Sequence, residues 1–266
     1  MKPVLSIAGS DCSGGAGIQA DLKTFSAFSV FGMSVITSVV AENTFRVKSL
    51  QNIDCKIISD QIECVFEDIP PMAVKIGMLP TPEIMKCVCE NLIKFDAKNI
   101  VIDPVMFAKN GFALMDEDSR KNLKNHILKL CDLITPNIPE AVEICGFEIK
   151  NDDDAKKAAI KIHEMGAKNI LIKGGHRGGS DFLYCNGEFF EYKTKFIDTK
   201  NTHGTGCTLS SAIAANLGLG LDLPTSVQNA KNYIQIAIEN ALNLGKGCGP
   251  THHFYSLYKR AGIENL

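Results

Sequence analysis

The sequence predicts an α/β fold: a mostly parallel central sheet flanked by helices, in three layers. Two observations carry the prediction. Short β-branched runs recur along the chain, each bounded by turn residues, and amphipathic stretches with helical spacing separate them. Strands alternating with helices, at a repeat of about thirty residues, build βαβ units and a parallel sheet. The second is composition: 266 residues, 45% hydrophobic and 22% charged, is ordinary globular usage and enough chain to bury a sizeable core.

The elements follow in order. Val4–Ala8 reads as the first strand and Gly17–Phe28 as the first helix. The stretch from Thr24 to Ala41 carries no charge. It is too rich in Ser and Thr for a membrane span, which needs about 20 mostly apolar residues. It parses instead as a helix end, a glycine turn at Gly32 and a strand over Ser34–Val40. Ile57–Ile69 places Ile58, Ile62, Val65, Phe66 and Ile69 on one helical face. Ala73–Ile76 is the third strand. Thr81–Phe95 opens on Thr-Pro, a cap followed by proline at the first helical position. Strands at Ile100–Asp103, Leu133–Thr135 and Ile170–Lys173 alternate with helices at Ser119–Leu130, after Asn137, and at Asp152–Met165, the last closed by Gly166. Phe182–Cys185, an Asn186-Gly187 turn and Phe189–Lys193 read as a β-hairpin. Two helical stretches, Thr205–Leu217 and Pro224–Leu244, end the pattern. No linker, low-complexity tract or short repeat interrupts it, so residues 1–266 are expected to form one domain.

Charge and cysteine usage exclude several classes. Lys+Arg is 28 and Asp+Glu is 30, a formal charge of −2, with no basic stripe for nucleic acid. Ten cysteines at irregular spacing include no CxxC pair and several lie in apolar helical runs, as buried reduced thiols do. Val4–Ala8 is too short for a signal peptide and runs into Gly9. A cytoplasmic protein that binds neither nucleic acid nor membrane is expected.

The unusual residues gather after the predicted strands: Gly9-Ser10-Asp11, Glu42-Asn43, Gly77-Met78, Asp103-Pro104, Pro136-Asn137 and Gly174-Gly175-His176. In open parallel sheets ligands bind outside the carboxyl ends of the strands, so these six loops are expected to line one cleft. The loop Gly9-Ser-Asp-Cys-Ser-Gly-Gly-Ala-Gly17 supplies glycines that let backbone approach a ligand. Its Gly15-x-Gly17-x-x-Ala20 formally matches a dinucleotide fingerprint, but that fingerprint starts directly at a strand end and this one does not. A loop covering the substrate fits better than a plain flexible connection. There is no Gly-x4-Gly-Lys-[Ser/Thr] phosphate loop. Asn201-Thr-His-Gly-Thr-Gly-Cys-Thr-Leu-Ser-Ser211 instead runs Gly204 and Gly206 into an apolar helix, which makes an anion site; packing glycines are the plainer alternative. Cys207 falls in the first turn, a position that lowers a thiol pKa, and is open to being a base, a nucleophile or neither.

Asn137-Ile-Pro-Glu140 is a capping box by its spacing, and a carboxylate near a metal-bound phosphate on a functional reading. Asp103 is a second carboxylate facing the same cleft, and Lys173 meets phosphate as a point charge or stands solvated at a strand end. His203 precedes Cys207 by four positions, but no third group orients a Cys/His pair. His252 and His253 are adjacent, so they do not face a common metal on a helix and read as packing or surface.

Together these segments resemble the ribokinase superfamily, and within it the hydroxymethylpyrimidine/phosphomethylpyrimidine kinases of thiamine biosynthesis. The carriers are Ala8-Gly-Ser-Asp-x-Ser-Gly-Gly-Ala-Gly-Ile-Gln-Ala-Asp-Leu-Lys-Thr-Phe25, Ser34-Val-Ile-Thr-Ser-Val-Val-Ala-Glu-Asn-Thr44, Lys75-Ile-Gly-Met-Leu79, Ile134-Thr-Pro-Asn-x-Pro-Glu140, Lys173-Gly-Gly-His176, Asn201-Thr-His-Gly-Thr-Gly-Cys-Thr-Leu-Ser210 and Gly249-Pro-Thr-His-His253. The resemblance covers nearly the whole chain. It implies a ribokinase-like fold, ATP and Mg²⁺, and two successive phosphorylations of an aminopyrimidine. It implies that Gly204, Gly206 and Cys207 form the catalytic anion hole, with Cys207 at the position where many relatives carry Asp as the base. Asn137 and Glu140 would organise Mg²⁺, and Asp103, Lys173, Thr202 and Thr205 would face the triphosphate. Gly9, Asp21, Val40, Glu42, Met78, Val105 and Cys207 would form the pyrimidine pocket. Many members have Gln where this chain has Glu42. Relatives are often dimers, so a homodimer is expected. Pyridoxal kinase of the same superfamily is the nearest rival; a sugar kinase and a Cys207/His203 hydrolase are more remote.

Overall fold

A computed structural model describes residues 1–107, 111, 113–115, 117–174, 180–193 and 195–263. Gly175 and His176 of the Lys173–His176 segment lie outside the described residues.

Five apolar runs make the centre of the sheet: β1 (Pro3–Asp11), β4 (Ala73–Ile76), β5 (Ile100–Ile102), β6 (Leu133–Ile134) and β7 (Ile170–Ile172). Successive residues in them bury on opposite sides. Leu5, Ile7, Val74, Ile76, Ile100, Ile102, Ile134 and Ile170 enter one core, while Val4, Ala73, Val101, Leu133 and Leu171 enter the other. A strand buried on both faces needs no polar alternation, which is why these segments read as continuous apolar runs. The nine strands run in the order β3-β2-β1-β4-β5-β6-β7-β8-β9. β2 (Phe31–Asn43), β1, β4, β5, β6 and β7 pair parallel; β3 (Arg46–Asn52), β8 (Asp181–Cys185) and β9 (Glu188–Tyr192) add antiparallel edges.

Helices cover both faces, giving the three layers expected. α2 (Cys55–Asp68), α3 (Pro82–Lys94), α5 (Ile138–Cys145) and α6 (Asp152–Glu164) close the first core, joined by α4 (Glu117–Asn122), which continues as a π-helical turn over Leu123–Ile127. α1 (Gly17–Ala27), α7 (Thr205–Gly218) and α8 (Leu223–Glu239) close the second. Their starts are chemically marked. Thr81, Asn137, Asn151 and Asp222 each accept a backbone N–H of the first turn. α7 is buried on nearly all sides, with Leu209 and Ala212–Ala215 in the core, as its all-round apolar sequence demands.

Four expectations are corrected. The antiparallel edge strand β3 was not foreseen, because its polar, exposed residues give no burial pattern. The turn before β2 is at Ser29, which has φ 58, and Gly32 lies within the strand because Leu22 and Phe25 pack against its α-carbon. α8 stops at Glu239 rather than Leu244, since Leu242 turns back to donate to the Pro250 carbonyl. A short helix α9 (Tyr255–Arg260) buries no residue and left no periodic signal. The Asn186-Gly187 hairpin turn is as read, both residues having positive φ.

Candidate active site

The carboxyl ends of β1, β2, β4, β5 and β6 open on one side, and β1 reaches it last through a register shift between Ala8 and Ser10 against β2. Asp11 ends that strand and organises the glycine-rich loop behind it. Its Oδ1 accepts the Ser13 amide at 2.7 Å; its Oδ2 accepts the Gly15 and Ala16 amides at 3.1 and 2.8 Å. The same Oδ2 lies 2.9 Å from His203 Nε2, in the turn before α7. Burial pushes the Asp11 pKa up, but the His203 and loop hydrogen bonds win and hold it at about 2. His203 therefore turns away from any pairing with Cys207 and fastens the first loop to the last one. Backbone packing completes the fastening. Gly204, the αL start of α7, has the Gly15 carbonyl where a Cβ would stand, and Gly15 has the His203 ring there. Only glycine fits at either place.

α7 begins without a side-chain cap; the Thr205 amide turns back to the Thr202 carbonyl at 3.3 Å, and a helix start of this kind can take an anion on the amides left over. Beside it stands the pair Asp103–Lys173, Nζ to Oδ1 2.8 Å. A Cβ on Gly206 would lie 2.9 Å from Asp103 Oδ2 and 3.5 Å from Lys173 Nζ. The expected phosphate residues are thus brought together: the glycine turn, Asp103 and Lys173. Burial works against the Lys173 charge, but Asp103 and Glu140 offset it and keep the ammonium protonated. Thr205 donates its hydroxyl to the Thr202 carbonyl at 2.7 Å, which shapes the turn; the Thr202 hydroxyl itself sits 3.6 Å from Cys248 Sγ.

Asn137 and Glu140 form the reciprocal capping box read from the sequence, with both bonds at 2.9 Å. The capping box does not remove Glu140 from the cleft, because its buried carboxylate also lies within electrostatic reach of Lys173 and Asp103. Burial and then Asp103 push its pKa up, while Lys173 and the Asn137 backbone pull it down. Two buried carboxylates flanking one lysine are hard oxygen donors, the set that suits Mg²⁺.

Cys207 lies in the first turn of α7, half-buried. The sequence position argues for a lowered thiol pKa; the structure reverses that. Burial pushes it up to about 11, Lys75 pulls it down, and Asp21 and Asp103 push it further up, against a backbone hydrogen bond from Gly17. The helix start is outweighed chiefly by burial of the sulfur, with Asp21 and Asp103 adding to it.

Asp21 stands beneath this point, fully buried. Lys75 Nζ reaches its two oxygens at 2.9 and 2.8 Å, Ser211 donates to Oδ1 at 2.7 Å and Ser6 donates to Oδ2 at 2.5 Å. Its carboxylate is filled by the protein, so it holds Lys75 under the sulfur rather than offering a lone pair outward. Lys75 is equally buried; burial opposes its charge, but Asp21 first and then Cys207 and Asp103 raise its pKa above the ordinary lysine value.

Of the other pocket residues, Gly9 and Met78 meet: a Cβ on Gly9 would lie 3.2 Å from Met78 Sδ. Thr37 fixes Met78 by donating to its carbonyl at 2.8 Å. Val40 is buried under the end of β2, and Val105 is half-buried, its amide turned onto the Asp103 carbonyl at 2.8 Å. Glu42, near the end of β2, joins Asp11 and His203; ligand-type atoms of the three lie within 4.8 Å of one another. Burial, then Asp11, push the Glu42 pKa up to about 7, against His203. Among the described residues His252 and His253 share no hydrogen-bond partner. His253 Nε2 sits 3.0 Å from the Thr208 hydroxyl and is kept neutral by burial, its pKa down at about 4; His252 packs edge-on to Tyr255.

Sequence reasoning missed Lys75 and the Asp11–His203 tie as parts of the site. Lys75 stands in a quoted segment, and a lysine inside an apolar strand is the signal that its charge must be paired.

Residues 11–252 match the family model for phosphomethylpyrimidine kinase. Over 269 residues the chain is 41% identical to a hydroxymethylpyrimidine/phosphomethylpyrimidine kinase of Staphylococcus aureus, covering 99% of this chain and 97% of that one. A crystal structure of phosphomethylpyrimidine kinase from Clostridium difficile 630 is 48% identical, with a TM-score of 0.81 over 90% of this chain and 100% of that one. An ADP complex of Bacillus subtilis pyridoxal kinase superposes with a TM-score of 0.90 at 37% identity, over 97% of this chain and 99% of that one.

Proposed function

Because the chain belongs to the phosphomethylpyrimidine kinase family, we propose that it uses ATP to phosphorylate 4-amino-5-hydroxymethyl-2-methylpyrimidine to its monophosphate and then to the diphosphate, in thiamine biosynthesis. The observation that carries the reading is the meeting of the uncapped α7 start, Gly206 and the Asp103–Lys173 pair next to Cys207. A transferring phosphoryl group needs positioned amides and cations around its oxygens and an acceptor held in line, and little covalent chemistry. The Gly204–Cys207 turn supplies the amides, apart from that of Thr205, which the Thr202 carbonyl holds. Lys173 supplies the cation, with Asp103, Thr202 and Thr205 around the triphosphate. Asn137 and Glu140 would hold Mg²⁺ together with Asp103; bound there, the ion neutralises phosphate oxygens. Gly9, Val40, Met78 and Val105 form flat apolar walls that suit the two faces of a heteroaromatic ring, and Glu42 provides the polar group at its edge. Asp21 supports that pocket by holding Lys75. Cys207 takes the hydroxyl proton in its minor thiolate form, and because the transition state is loose, this transfer comes late. The second transfer, onto a phosphate already ionised, needs no such base.

The whole chain, 1–266, is taken to act as one kinase domain; the continuous nine-stranded sheet supports this. Exposed Phe31, Val39, Phe45 and Leu50 on the β2–β3 edge support a homodimer, which light scattering of the purified protein tests. Ten free cysteines support a reducing, cytoplasmic setting. Among the described residues no helix is long and apolar enough to cross a membrane.

The deciding experiment is ADP release with Mg-ATP, offering hydroxymethylpyrimidine and pyridoxal separately and running each to completion. Two ADP per hydroxymethylpyrimidine is the expected result. The structural likeness to pyridoxal kinase favours the second reading, which one ADP per pyridoxal with little turnover of the pyrimidine would establish in its place.

A further inference from the structure

Glu42 closes the edge of the pocket with the wrong group for a simple hydrogen-bond donor. A 4-aminopyrimidine offers along one edge an amine that donates and a ring nitrogen that accepts. An amide side chain meets both. A carboxylate meets only the amine, because both its oxygens accept. A carboxylic acid meets both again: one oxygen accepts from the amine and the other, as O–H, donates to the ring nitrogen.

The surroundings of Glu42 decide which form it takes. From β1, Asp11 lies within 4.8 Å. Two carboxyl groups this close do not both ionise readily. Asp11 is the one that stays ionised, because three backbone amides and His203 all bind its oxygens. From the turn before α7, His203 Nε2 is already committed to Asp11. From β3, Arg46 and Lys48 line the cavity that Glu42, Ala41, Asn43 and Cys12 share, but neither forms an ion pair with Glu42 among the described residues. Cys12 donates its thiol to the Glu42 backbone carbonyl at 3.1 Å, not to the carboxyl. The proton has one economical place to go.

We propose that Glu42 binds the pyrimidine edge as an acid, so that the complex holds one proton between the Glu42 carboxyl and the ring nitrogen, and that the Asp11–His203 tie keeps that proton in place. The inference rests on the substrate reading above and adds to it a proton that enters with the ligand at alkaline pH.

The test is calorimetric titration of the full chain with hydroxymethylpyrimidine, without ATP, in buffers of different ionisation enthalpy at pH 6 and pH 8. A carboxyl that titrates near 7 takes up about 0.9 proton on binding at pH 8 and about 0.1 at pH 6. Glu42→Gln supplies the amide instead and takes up none at either pH. In turnover, KM for the pyrimidine rises about tenfold per pH unit above 8 in the wild type and stays level in Glu42→Gln. Binding by the wild type at pH 8 without proton uptake overturns the inference and leaves the substrate reading standing; so does equal uptake in Glu42→Gln. No binding at either pH overturns the substrate reading and the inference with it. The wild-type titration is decisive alone, whatever the variant's fold.

Discussion

Cys207 is the place where charge, burial and chemistry meet, and its pH behaviour is the sharpest test of the mechanism. With a thiol pKa near 11, the thiolate makes up about one part in ten thousand at pH 7. If that minor form takes the hydroxyl proton, kcat for the first transfer climbs about tenfold per pH unit, or about a hundredfold from pH 7 to 9. Cys207→Ala removes the slope together with most of the rate at pH 9. Cys207→Asp places an ionised base over Lys75 and gives a profile that is level across the same range. The assay is single-turnover phosphorylation of hydroxymethylpyrimidine at saturating substrate and Mg-ATP, which keeps the titration of Glu42 out of kcat. The monophosphate, offered as substrate in the same assay, gives a shallow profile. A level wild-type profile for the alcohol, or a slope that survives in Cys207→Ala, refutes the assignment of Cys207 as base.

Three further outcomes follow from the geometry. Lys75→Met leaves Asp21 charged and fully buried without its counter-ion, so denaturant unfolding should show a loss of about 3–5 kcal/mol, and Lys75→Met with Asp21→Asn should recover more than half of it; a loss below about 1 kcal/mol refutes the pairing argument. Gly206→Ala puts a methyl 2.9 Å from Asp103 Oδ2; turnover falls by about a hundredfold while the melting temperature moves by only a few degrees, and an unchanged kcat removes Gly206 from the anion pocket. Asp11 has a folded pKa of about 2 against an ordinary 3.8, so its contribution of about 2 kcal/mol is complete above pH 4 and disappears as the pH falls to 2; acid titration of the fold should show a shallower loss over this window in Asp11→Asn, and identical curves would refute it.

The centre of the sheet was legible because Ala73–Ile76, Ile100–Ile102 and Ile170–Ile172 bury both faces and leave uninterrupted apolar runs. The edge was not. Arg46–Asn52 is held by backbone bonds to β2, and most of its side chains meet solvent, so nothing in its residue types marks a strand. The same division runs through the site. Gly204, Gly206, Asp103 and the Asn137–Glu140 box sit at strand ends or helix starts, where local rules apply. The Cys207 pKa departs from the sequence expectation because the helix start is visible in sequence, whereas the burial that raises it, and after that Asp21 and Asp103, come from elements far along the chain. Lys75–Asp21 and Asp11–His203 join residues 54 and 192 positions apart, and no local pattern announces such a partner.

The tie between Asp11 and His203 also has a bearing on how the protein is made. A ribosome adding about 5–20 residues per second reaches His203 roughly 10–40 s after Asp11. By then β1, β2, β4, β5, β6 and β7 have all been synthesised, and Lys75, 54 positions after Asp21, is made long before Ser211 exists to complete the Asp21 hydrogen bonds. Through that interval the glycine-rich loop has only nearby residues to shape it: Asp11, Gln19 and Lys23, which donates to the Gly14 carbonyl. A chain that ends before Asn201 carries every strand of the sheet but lacks α7 and α8, which close its second core, as well as the turn before α7 and the Asp11–His203 tie, so core and site are completed by the same late stretch of chain.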